Sequence, residues 1–528
     1  MNWFGDEVTD AATQAILYGT STVIQIIIQV ATMMIISRSL GPANYGVYTL
    51  ALLPSTILTI FSDPGITSSM LRYISIARAR KELKGVARAY RVSILFLTLI
   101  NTLILAVIAL FPEELGVQLA QRSGLHELVL ATAPYPLATA IYGAVLTYYV
   151  GMEKAGVRSM LQVLAPLLRL VLVSIVLLLG LSVKGVVVAH VATYIVMAVV
   201  SLLISFKELK GLNSDGSIFK VSEFLTLAFS IYLAGIAGAI VGRIISFLIA
   251  YTTSNLGETG NYMVGNYNAA SAFLGAIASV LGSLATPLTP LMAKRLNNGG
   301  LKETSNLVLN VLLTLTIPVT VYVVLFADSI IYSVYGRNYS MAPLFFAYMS
   351  ISLLAWPLQT VYGSIYWVYN DKKPLAGYGL ALMATGTVFS IVLSGIMGLQ
   401  GIALAQGFYP LLSSMVLAYY GYFKHGVKPS ISKASILLAL SLITGVFSKY
   451  IVGWIQFYII QALLGFILYL VLFTLCSGFF NIIGEIELGF LDLLARRIPL
   501  IGPVLRLLLK LYRRSARRLE SRLRNTAC

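Results

Sequence analysis

The chain has 528 residues, of which 58% are hydrophobic and 11% are charged, whereas about 25% of the residues in an ordinary soluble domain are charged. This composition excludes a soluble globular protein and predicts a polytopic membrane protein. The net charge is +17, but we expect no nucleic-acid partner, because basic residues mark the cytoplasmic loops of membrane proteins. With only Cys476 and Cys528, a disulfide framework is excluded as well.

Apolar segments long enough to cross a bilayer recur along the whole chain, since a helix needs roughly 20 residues to cross a core of about 30 Å. Thirty of the 37 lysines and arginines lie in the loops after even-numbered spans or in the C-terminal tail. This asymmetry predicts that both termini are cytoplasmic. The fourteen predicted spans are residues 12–36, 46–71, 92–111, 126–150, 157–181, 184–206, 222–250, 263–291, 305–327, 342–369, 374–397, 400–423, 432–451 and 454–476.

The first predicted span is uncharged but carries polar residues along one helical face. Lipid would not tolerate this face, so it should contact other helices or water. Interhelical hydrogen bonding and a cavity lining both remain open, and Gln25 and Gln29 are candidate binding residues. The face consists of Gln14, Tyr18, Ser21, Thr22, Gln25, Gln29 and Thr32.

A turn after this span reads Arg38-Ser39-Leu40-Gly41-Pro42-Ala43-Asn44-Tyr45-Gly46, in which glycine and proline end one helix before the next begins. A degraded copy follows Leu256-Gly257, where Gly265-Asn266-Tyr267 parallels Gly46-Val47-Tyr48. The simplest account is an internal duplication of about six helices. Because six is an even number, both copies enter the membrane from the same side, and the pseudo-two-fold axis should run along the membrane normal.

This turn, with Asp63-Pro64-Gly65 and the basic Arg72-Tyr73 at the end of the second span, resembles the polysaccharide-transport (Wzx-type) branch of the multidrug/oligosaccharidyl-lipid/polysaccharide (MOP) flippase superfamily. The resemblance implies an all-α membrane protein with a MATE-like pair of six-helix bundles, residues 1–215 and 216–424, around a central cleft. Two extra helices at residues 425–480 and a cytoplasmic tail at residues 481–528 complete this predicted organisation.

The tail has the pattern of a basic amphipathic helix, because lysines and arginines occupy the positions around one apolar face. Such helices lie on anionic lipid, which we expect as a partner. A solvated tail and a contact with a partner protein are the alternatives. The apolar face consists of Leu505, Leu508, Leu509, Tyr512, Ala516, Leu519 and Leu523.

Catalytic patterns are missing from the sequence. It contains no paired-carboxylate motif, no Cys-x-x-Cys, no His-Glu-x-x-His, no phosphate-binding Gly-x-x-x-x-Gly-Lys and only three histidines. We therefore expect a protein that is not an enzyme and that needs no cofactor and no metal.

Two arginines inside apolar spans are the most informative charges, since each costs at least about 2.5 kcal/mol at the centre of a helix on insertion scales. Arg169 lies eleven residues after Arg158, hence about 16 Å into the membrane, and Arg243 lies in the outer part of the seventh span. Both are predicted to face the cleft and to bind an anionic group such as a lipid pyrophosphate. The alternative is a structural arginine that backbone carbonyls or a neighbouring helix satisfy.

Asp63 is the only acid well inside an apolar span. Asp63-Pro64 has the sequence of an N-cap followed by proline, so a broken second helix capped by Asp63 explains the residue without a ligand. An ion or proton site, or a salt bridge that alternates between conformations, is the other hypothesis. Arg38 and Arg72, in the two family-like motifs, are further candidates for coupling or gating.

The eighth and tenth spans carry the remaining candidates. Asn268 begins a face of small and polar residues that predicts close helix packing or a cavity wall. The tenth span presents side chains suited to sugar hydroxyls and ring faces, although an interfacial aromatic belt would use the same residues. These side chains are Gln359, Tyr362, Tyr366 and Asn370.

Together these features predict a monomeric flippase in the plasma membrane that moves a lipid-linked oligosaccharide to the outer leaflet by alternating access. A MATE-like, cation-coupled exporter is the alternative within the same superfamily, but it would favour buried acids, of which only Asp63 qualifies. A membrane glycosyltransferase or polymerase ranks lower, because the chain lacks an acidic outer loop or an outer domain.

Overall fold

The computed structural model describes residues 3–210, 220–285, 300–369, 371–497 and 502–526, and every regular element in these ranges is helical. The longer helices pack side by side, and short 3-10 turns at Thr59–Phe61, Ser254–Leu256 and Ile351–Ala355 interrupt them. The α-helices are α1 Trp3–Leu58, α2 Ile66–Ala79, α3 Leu83–Leu110, α4 Pro112–Gln118, α5 His126–Ala131, α6 Tyr135–Gly151, α7 Ala155–Leu178, α8 Ser182–Glu208, α9 Val221–Thr252, α10 Gly257–Ala285, α11 Leu301–Leu325, α12 Ala327–Tyr335, α13 Ala342–Ser350, α14 Trp356–Val368, α15 Lys372–Met397, α16 Leu399–His425, α17 Ile431–Val452, α18 Tyr458–Phe479, α19 Glu485–Arg497 and α20 Gly502–Thr526.

Within the described residues, twelve segments are long and apolar enough to cross a membrane. Two of them, Leu17–Phe61 with 45 residues and Gly235–Gly282 with 48 residues, are about 70 Å long at 1.5 Å per residue, twice the length that one crossing needs. The first is broken at Gly41, whose φ of 72° and ψ of 169° are not helical. The second is broken at Gly257, where φ is 54°. Counting each as two crossings reconciles the twelve segments with the fourteen predicted spans, and the prediction of an all-α polytopic membrane protein is confirmed.

The second predicted span differs from a continuous helix. It is interrupted between Leu58 and Ile66 by a 3-10 turn and by Asp63-Pro64-Gly65. Pro64 has no backbone N–H to continue the helical ladder, and Gly65 adopts a left-handed φ of 78°. A Cβ on Gly65 would also lie 2.0 Å from the carbonyl oxygen of Ala228 in α9, so glycine is required here for two independent reasons.

The chain divides into two compact units, Met1–Ser283 and Leu284–Cys528. Unit 1 has a core of buried apolar residues between α2, α3, α6 and α8, in which the rings of Tyr90, Tyr148 and Tyr149 are fully buried. Unit 2 has its own apolar clusters, one of them between α11, α14 and α16. The division of the chain at residues 215, 424 and 480 remains a prediction.

The two copies of the glycine motif contact each other inside unit 1. A Cβ added to Gly46 would lie 1.9 Å from the carbonyl oxygen of Asn261, and one added to Gly265 would lie 1.9 Å from the carbonyl oxygen of Pro42. Each added Cβ would also lie 3.0 Å from the backbone nitrogen of the other glycine. The contact is therefore symmetric at the level of single atoms, with each glycine facing the carbonyl four residues before the other, as expected for two copies of one duplicated element.

Arg122 ties the loop between α4 and α5 to the turn between α9 and α10. Its Nη2 donates to the carbonyl oxygen of Thr253 at 2.8 Å, and its Nε donates to the side-chain oxygen of Asn261 at 2.9 Å. Its Nη1 donates to the carbonyl oxygen of Ala250 at 3.4 Å. The guanidinium thereby donates to carbonyls at and just after the C-terminal end of α9, where the helical hydrogen-bond ladder ends.

Candidate functional site

A cavity of about 190 Å³ lies within unit 1, between α1, α6, α7 and α8. Its wall contains two arginines and three glutamines and no aspartate or glutamate. The lining residues are Gln25, Gln29, Thr32, Tyr142, Leu146, Arg158, Gln162, Ala165, Pro166, Arg169, Thr193 and Tyr194. The cavity is therefore polar and positively charged.

Helix α7 supplies both arginines of the cavity wall. Its lining residues recur at helical spacing. Arg158, Gln162, Ala165 and Arg169 lie four, three and four residues apart and so share one face. The two arginines are separated by eleven residues, which corresponds to three turns and about 16 Å along the helix axis. Gln162, Ala165 and Pro166 line the wall between them.

The polar face of α1 meets α7 through hydrogen bonds and also borders the cavity. The Nε2 of Gln162 donates to the Oε1 of Gln25 at 2.6 Å and to the Oγ1 of Thr22 at 3.3 Å. Gln25, Gln29 and Thr32 line the cavity. Both structural roles that the sequence left open for this face are thus present, one beside the other.

Arg169 is held by neutral groups. Its Nη2 donates to the hydroxyl of Tyr48 at 2.7 Å, and this hydroxyl lies 2.8 Å from the Nδ1 of His190. The Tyr48 oxygen accepts from Arg169, and the same hydroxyl lies within hydrogen-bond distance of the His190 ring. None of the ion pairs among the described residues includes Arg169, so its charge has no carboxylate counter-ion there.

Arg158 is a lining residue that the sequence analysis used only to measure depth. Its guanidinium carbon lies 4.5 Å from the centroid of the Tyr18 ring, a cation–π contact. The Nε atoms of Arg158 and Arg169 and the Oε1 of Gln162 are buried and have no hydrogen-bond partner among the described residues. The signal that could have found Arg158 is its spacing from Arg169, since eleven residues return a helix to the same face.

Arg243 lies on α9 and does not belong to the lining of this cavity. Its Nη2 donates to the Oγ1 of Thr59 at 2.9 Å, in the 3-10 turn that follows α1. The structure thus brings Gln25, Gln29 and Arg169 to one cavity and leaves Arg243 at the break of the second predicted span.

The coupling and gating candidates have different surroundings. Asp63 accepts a hydrogen bond from the backbone N–H of Thr67 at 3.2 Å and another from the Thr67 hydroxyl. The carboxylate thus satisfies the N–H of the second residue of α2, but the N-cap is Gly65 and not Asp63 as predicted, because the helix begins only at Ile66. Arg38 and Arg72 both have exposed side chains.

The candidates of the eighth and tenth spans are engaged within their own units. Asn268 donates from Nδ2 to the Oγ1 of Thr49 at 3.1 Å, which links α10 to α1. Gln359 lies near the side chain of Tyr378. Asn370 lies outside the described residues.

Tyr362 and Tyr366, in contrast, are fully buried in an apolar cluster of unit 2. Their hydroxyls donate to the carbonyl oxygens of Val427 at 3.2 Å and Leu417 at 2.7 Å. The structure therefore places both tyrosines in a packed core rather than on a cavity wall, because the face of α14 that carries them packs against α11 and α16.

Comparison with solved structures identifies the fold. A structure described as the lipid II flippase MurJ in an inward closed conformation is 14% identical, covers 88% of this chain and 99% of its own, and has a TM-score of 0.67. An inward-facing multidrug resistance MATE family transporter of the MOP superfamily is 12% identical, with coverages of 77% and 98% and a TM-score of 0.63. A MOP superfamily transporter from Pyrococcus furiosus, described as having a binding pocket of reverse polarity, is 14% identical, with coverages of 79% and 96% and a TM-score of 0.58. The chain thus has the MOP superfamily fold.

The sequence comparisons narrow this assignment. No curated protein matches the chain. Residues 11–296 match the family described as polysaccharide biosynthesis protein, and this match spans more than half of the chain and the whole of the charged cavity. The chain is therefore a member of the polysaccharide biosynthesis protein family.

Proposed function

We propose that this protein is a flippase for a lipid-linked oligosaccharide whose polyprenyl or dolichyl carrier bears a phosphate or pyrophosphate. The observation that carries the proposal is the cavity of unit 1, which has two arginines and no carboxylate in its wall. A cavity of this charge favours an anion and disfavours a cation. Membership of the polysaccharide biosynthesis family supports a glycan as the rest of the cargo.

The arrangement of Arg169 suits a phosphate oxygen. A guanidinium donates through a planar fork that matches phosphate geometry, and Arg169 commits Nη2 to Tyr48 while its Nε has no partner among the described residues. Because the Tyr48 hydroxyl is uncharged, it orients the guanidinium without cancelling its charge. Electrostatic attraction is also stronger in a site of low dielectric constant than in water.

Arg158 and Arg169 offer two successive positions for the anionic group. Arg158 is near the start of α7, which the basic loops assign to the cytoplasmic side, and Arg169 is about three turns deeper. Between them, the amides of Gln25 and Gln162 can exchange hydrogen bonds with sugar hydroxyls. The phosphate would enter at Arg158 and advance to Arg169 while the carrier chain stays in lipid.

Translocation would follow alternating access in the plasma membrane, with both termini in the cytoplasm. A cation-coupled exporter is the competing function in the same superfamily. It would need an acid in the cavity, whereas Asp63, the one candidate, accepts a hydrogen bond from the backbone N–H of Thr67 in α2. Measured export of an organic cation would therefore favour the exporter over the flippase.

The direct test is transport by the purified chain in proteoliposomes that contain a polyprenyl-pyrophosphate-linked disaccharide with a fluorescent sugar. A membrane-impermeant quencher then measures how fast the label exchanges between the leaflets. We expect Arg169→Ala and Arg158→Ala each to slow this exchange at least about tenfold, since each removes a charge-assisted contact of about 1.5–3 kcal/mol. Arg169→Lys should retain part of the activity.

Arg337→Ala is the matched control, because Arg337 is exposed in unit 2 and its guanidinium carbon lies 5.0 Å from the Tyr458 ring. Its exchange rate should equal that of the parent. Parent-level exchange in Arg169→Ala, or transport of an organic cation in place of the lipid-linked sugar, would contradict the proposal.

Arg243 extends the same hypothesis to α9. It donates to the Thr59 hydroxyl and forms no ion pair among the described residues. We expect Arg243→Ala to abolish flipping while the thermal unfolding of the protein is unchanged. Full flipping in that variant would remove Arg243 from the anion path and leave the cavity of α7 as the only anion site proposed.

A further inference from the structure

The C-terminal helix α20 is fixed to unit 2 by its apolar face. Leu509 and Tyr512 are buried in a cluster with Val311, Ile483 and Leu488. The Tyr512 hydroxyl accepts from the backbone N–H of Ile483 at 2.8 Å and donates to the carbonyl oxygen of the same residue at 3.0 Å. The apolar face is thus covered by protein, which differs from the sequence expectation that this face would meet lipid.

The opposite face of α20 is exposed and basic. Arg506, Lys510, Arg513 and Arg514 are all exposed, and their spacing of four, three and one residues places them on one side of the helix. None of the four forms an ion pair with another residue of the ranges described. Leu507, 59% exposed, lies at the edge of this basic face, beside Arg514.

The position of α20 along the membrane normal follows from α18, on which it packs. The segment Tyr458–Phe479 is apolar enough to span the membrane. Exposed aromatic residues lie at both of its ends, Trp454 and Phe457 before it and Phe479 and Phe480 after it, as in the aromatic belts at the two bilayer surfaces. A Cβ on Gly478 would lie 2.0 Å from Ser515 Oγ, so α20 crosses α18 at its Phe479 end, at the level of one bilayer surface.

We infer that α20 is a lipid-binding helix docked on unit 2. Its basic face binds the headgroups of anionic phospholipid at the bilayer surface that is level with the Phe479 end of α18. The partner is a lipid surface rather than a soluble anion because the face combines four unpaired cations with an exposed leucine at interface depth. Basic side chains near an anionic leaflet each add to the attraction, and Leu507 adds a shallow apolar contact. The inference is independent of the cargo carried by the cavity in unit 1.

The test compares three forms of the full chain in nanodiscs of phosphatidylcholine with and without phosphatidylglycerol. The first is the parent, and the second carries Arg506→Gln, Lys510→Gln, Arg513→Gln and Arg514→Gln. The third is a charge-matched control with Arg80→Gln, Lys84→Gln, Lys207→Gln and Lys210→Gln, which removes the same number of exposed charges from unit 1. Native mass spectrometry counts the lipids that remain bound, and hydrogen exchange reports on residues 502–516.

We expect the parent and the control to retain phosphatidylglycerol over phosphatidylcholine and to exchange more slowly in α20 when phosphatidylglycerol is present. The α20 variant should lose this preference by at least about tenfold, and high salt should weaken it in the parent. Equal unfolding temperatures of the three forms in phosphatidylcholine would show that the substitutions leave the fold intact.

Three results would overturn the inference. The α20 variant could retain phosphatidylglycerol like the parent, or the control could lose it equally, which would indicate a response to net charge alone. Soluble pyrophosphate could also protect α20 in phosphatidylcholine nanodiscs while phosphatidylglycerol does not, which would make the ligand a soluble anion.

Discussion

The cavity of unit 1 and the α14 core of unit 2 use polar residues in opposite ways. In unit 1, the cavity between α1 and α7 is lined by amides and guanidinium groups, several of whose polar atoms have no partner among the described residues. In unit 2, the buried tyrosines of α14 donate to backbone carbonyls. Polar residues in an apolar span therefore do not identify a site by themselves. The cavity of unit 1 differs from the α14 core in that polar atoms without a partner lie on a cavity wall.

Glycines make two kinds of close contact, with a backbone or with a ring, and unit 2 has both kinds, since Gly401 and Gly407 there face backbone carbonyls. Gly46 and Gly265 allow two backbones of unit 1 to touch, whereas Gly421 and Gly465 in unit 2 make room for rings. A Cβ on Gly421 would lie 2.3 Å from the Tyr362 ring, and one on Gly465 would lie 2.4 Å from the Phe326 ring. Rings fill the space that glycine opens in unit 2, so the interior is packed at these two positions.

The largest expected effect is on the backbone contact of unit 1. Gly265→Ala would place a methyl group 1.9 Å from the carbonyl oxygen of Pro42, and the backbone cannot yield as a flexible side chain would. We expect a loss of stability of about 3 kcal/mol, measured as a lower unfolding temperature in nanodiscs. Gly275→Ala is the matched control on the same helix, since its Cβ would meet no atom within 4 Å. Equal stability of the two variants would contradict the close contact.

A negative charge added to the cavity tests the contrast between the units most directly. Gln162→Glu adds a carboxylate between Arg158 and Arg169 with almost no change in shape, and it should slow flipping at least about tenfold by competing for both guanidinium groups. Gln359→Glu is the same change in unit 2, where Gln359 lies near Tyr378, and we expect its flipping rate to stay close to that of the parent. If both variants lose flipping equally, the anion site does not lie in unit 1 alone.

A smaller effect is expected from the residue that orients Arg169. Tyr48→Phe removes the oxygen that accepts from Arg169 at 2.7 Å but keeps the charge. Arg169 keeps its charge and loses only the hydrogen bond that orients it, so flipping should slow about fivefold to tenfold, which corresponds to about 1–1.4 kcal/mol. Leaflet exchange of the labelled lipid measures this, and the double variant Tyr48→Phe, Arg169→Ala should be no slower than Arg169→Ala. Additive losses would show that Tyr48 acts independently of Arg169.

The smallest expected effect on flipping is that of a substitution in the packed core of unit 2. Tyr366→Phe removes the donor to the Leu417 carbonyl and should lower stability by about 1 kcal/mol without a change in the flipping rate. Thermal unfolding and leaflet exchange measured on one preparation separate the two quantities. Slower flipping at unchanged stability would indicate that Tyr366 contacts the cargo.

Several parts of the fold and the candidate site were predictable from local sequence. Hydropathy over about 20 residues is a local property, so the fourteen spans and the helical fold class could be read from the sequence. The Gly46 and Gly265 motifs indicated a duplication, and their glycines do meet in the structure. Gln25, Gln29 and Arg169 were expected near a cavity because uncompensated polar groups are costly in lipid.

Other parts could not be found in this way. From the sequence, Tyr362 and Tyr366 were predicted to be binding residues for the same reason as Gln25 and Gln29, since all four lie on polar or aromatic faces of apolar helices. Tyr48 and His190 were not recognised as neighbours of Arg169, because three different helices bring these residues together. Arg158, in contrast, lies on the same helix as Arg169 and could have been found from its spacing. The same limit applies to α20, where periodicity found an apolar face and a basic face but not which of them meets protein.

By itself, the sequence determined that this protein lies in a membrane, how many times it crosses and where its excess positive charge accumulates, because hydrophobicity and charge act over one span or one loop. Only the tertiary structure decided which polar face borders a cavity and which one is packed. That choice depends on whether the neighbouring helices complete a residue's hydrogen bonds, and this is a property of residues far apart in the chain.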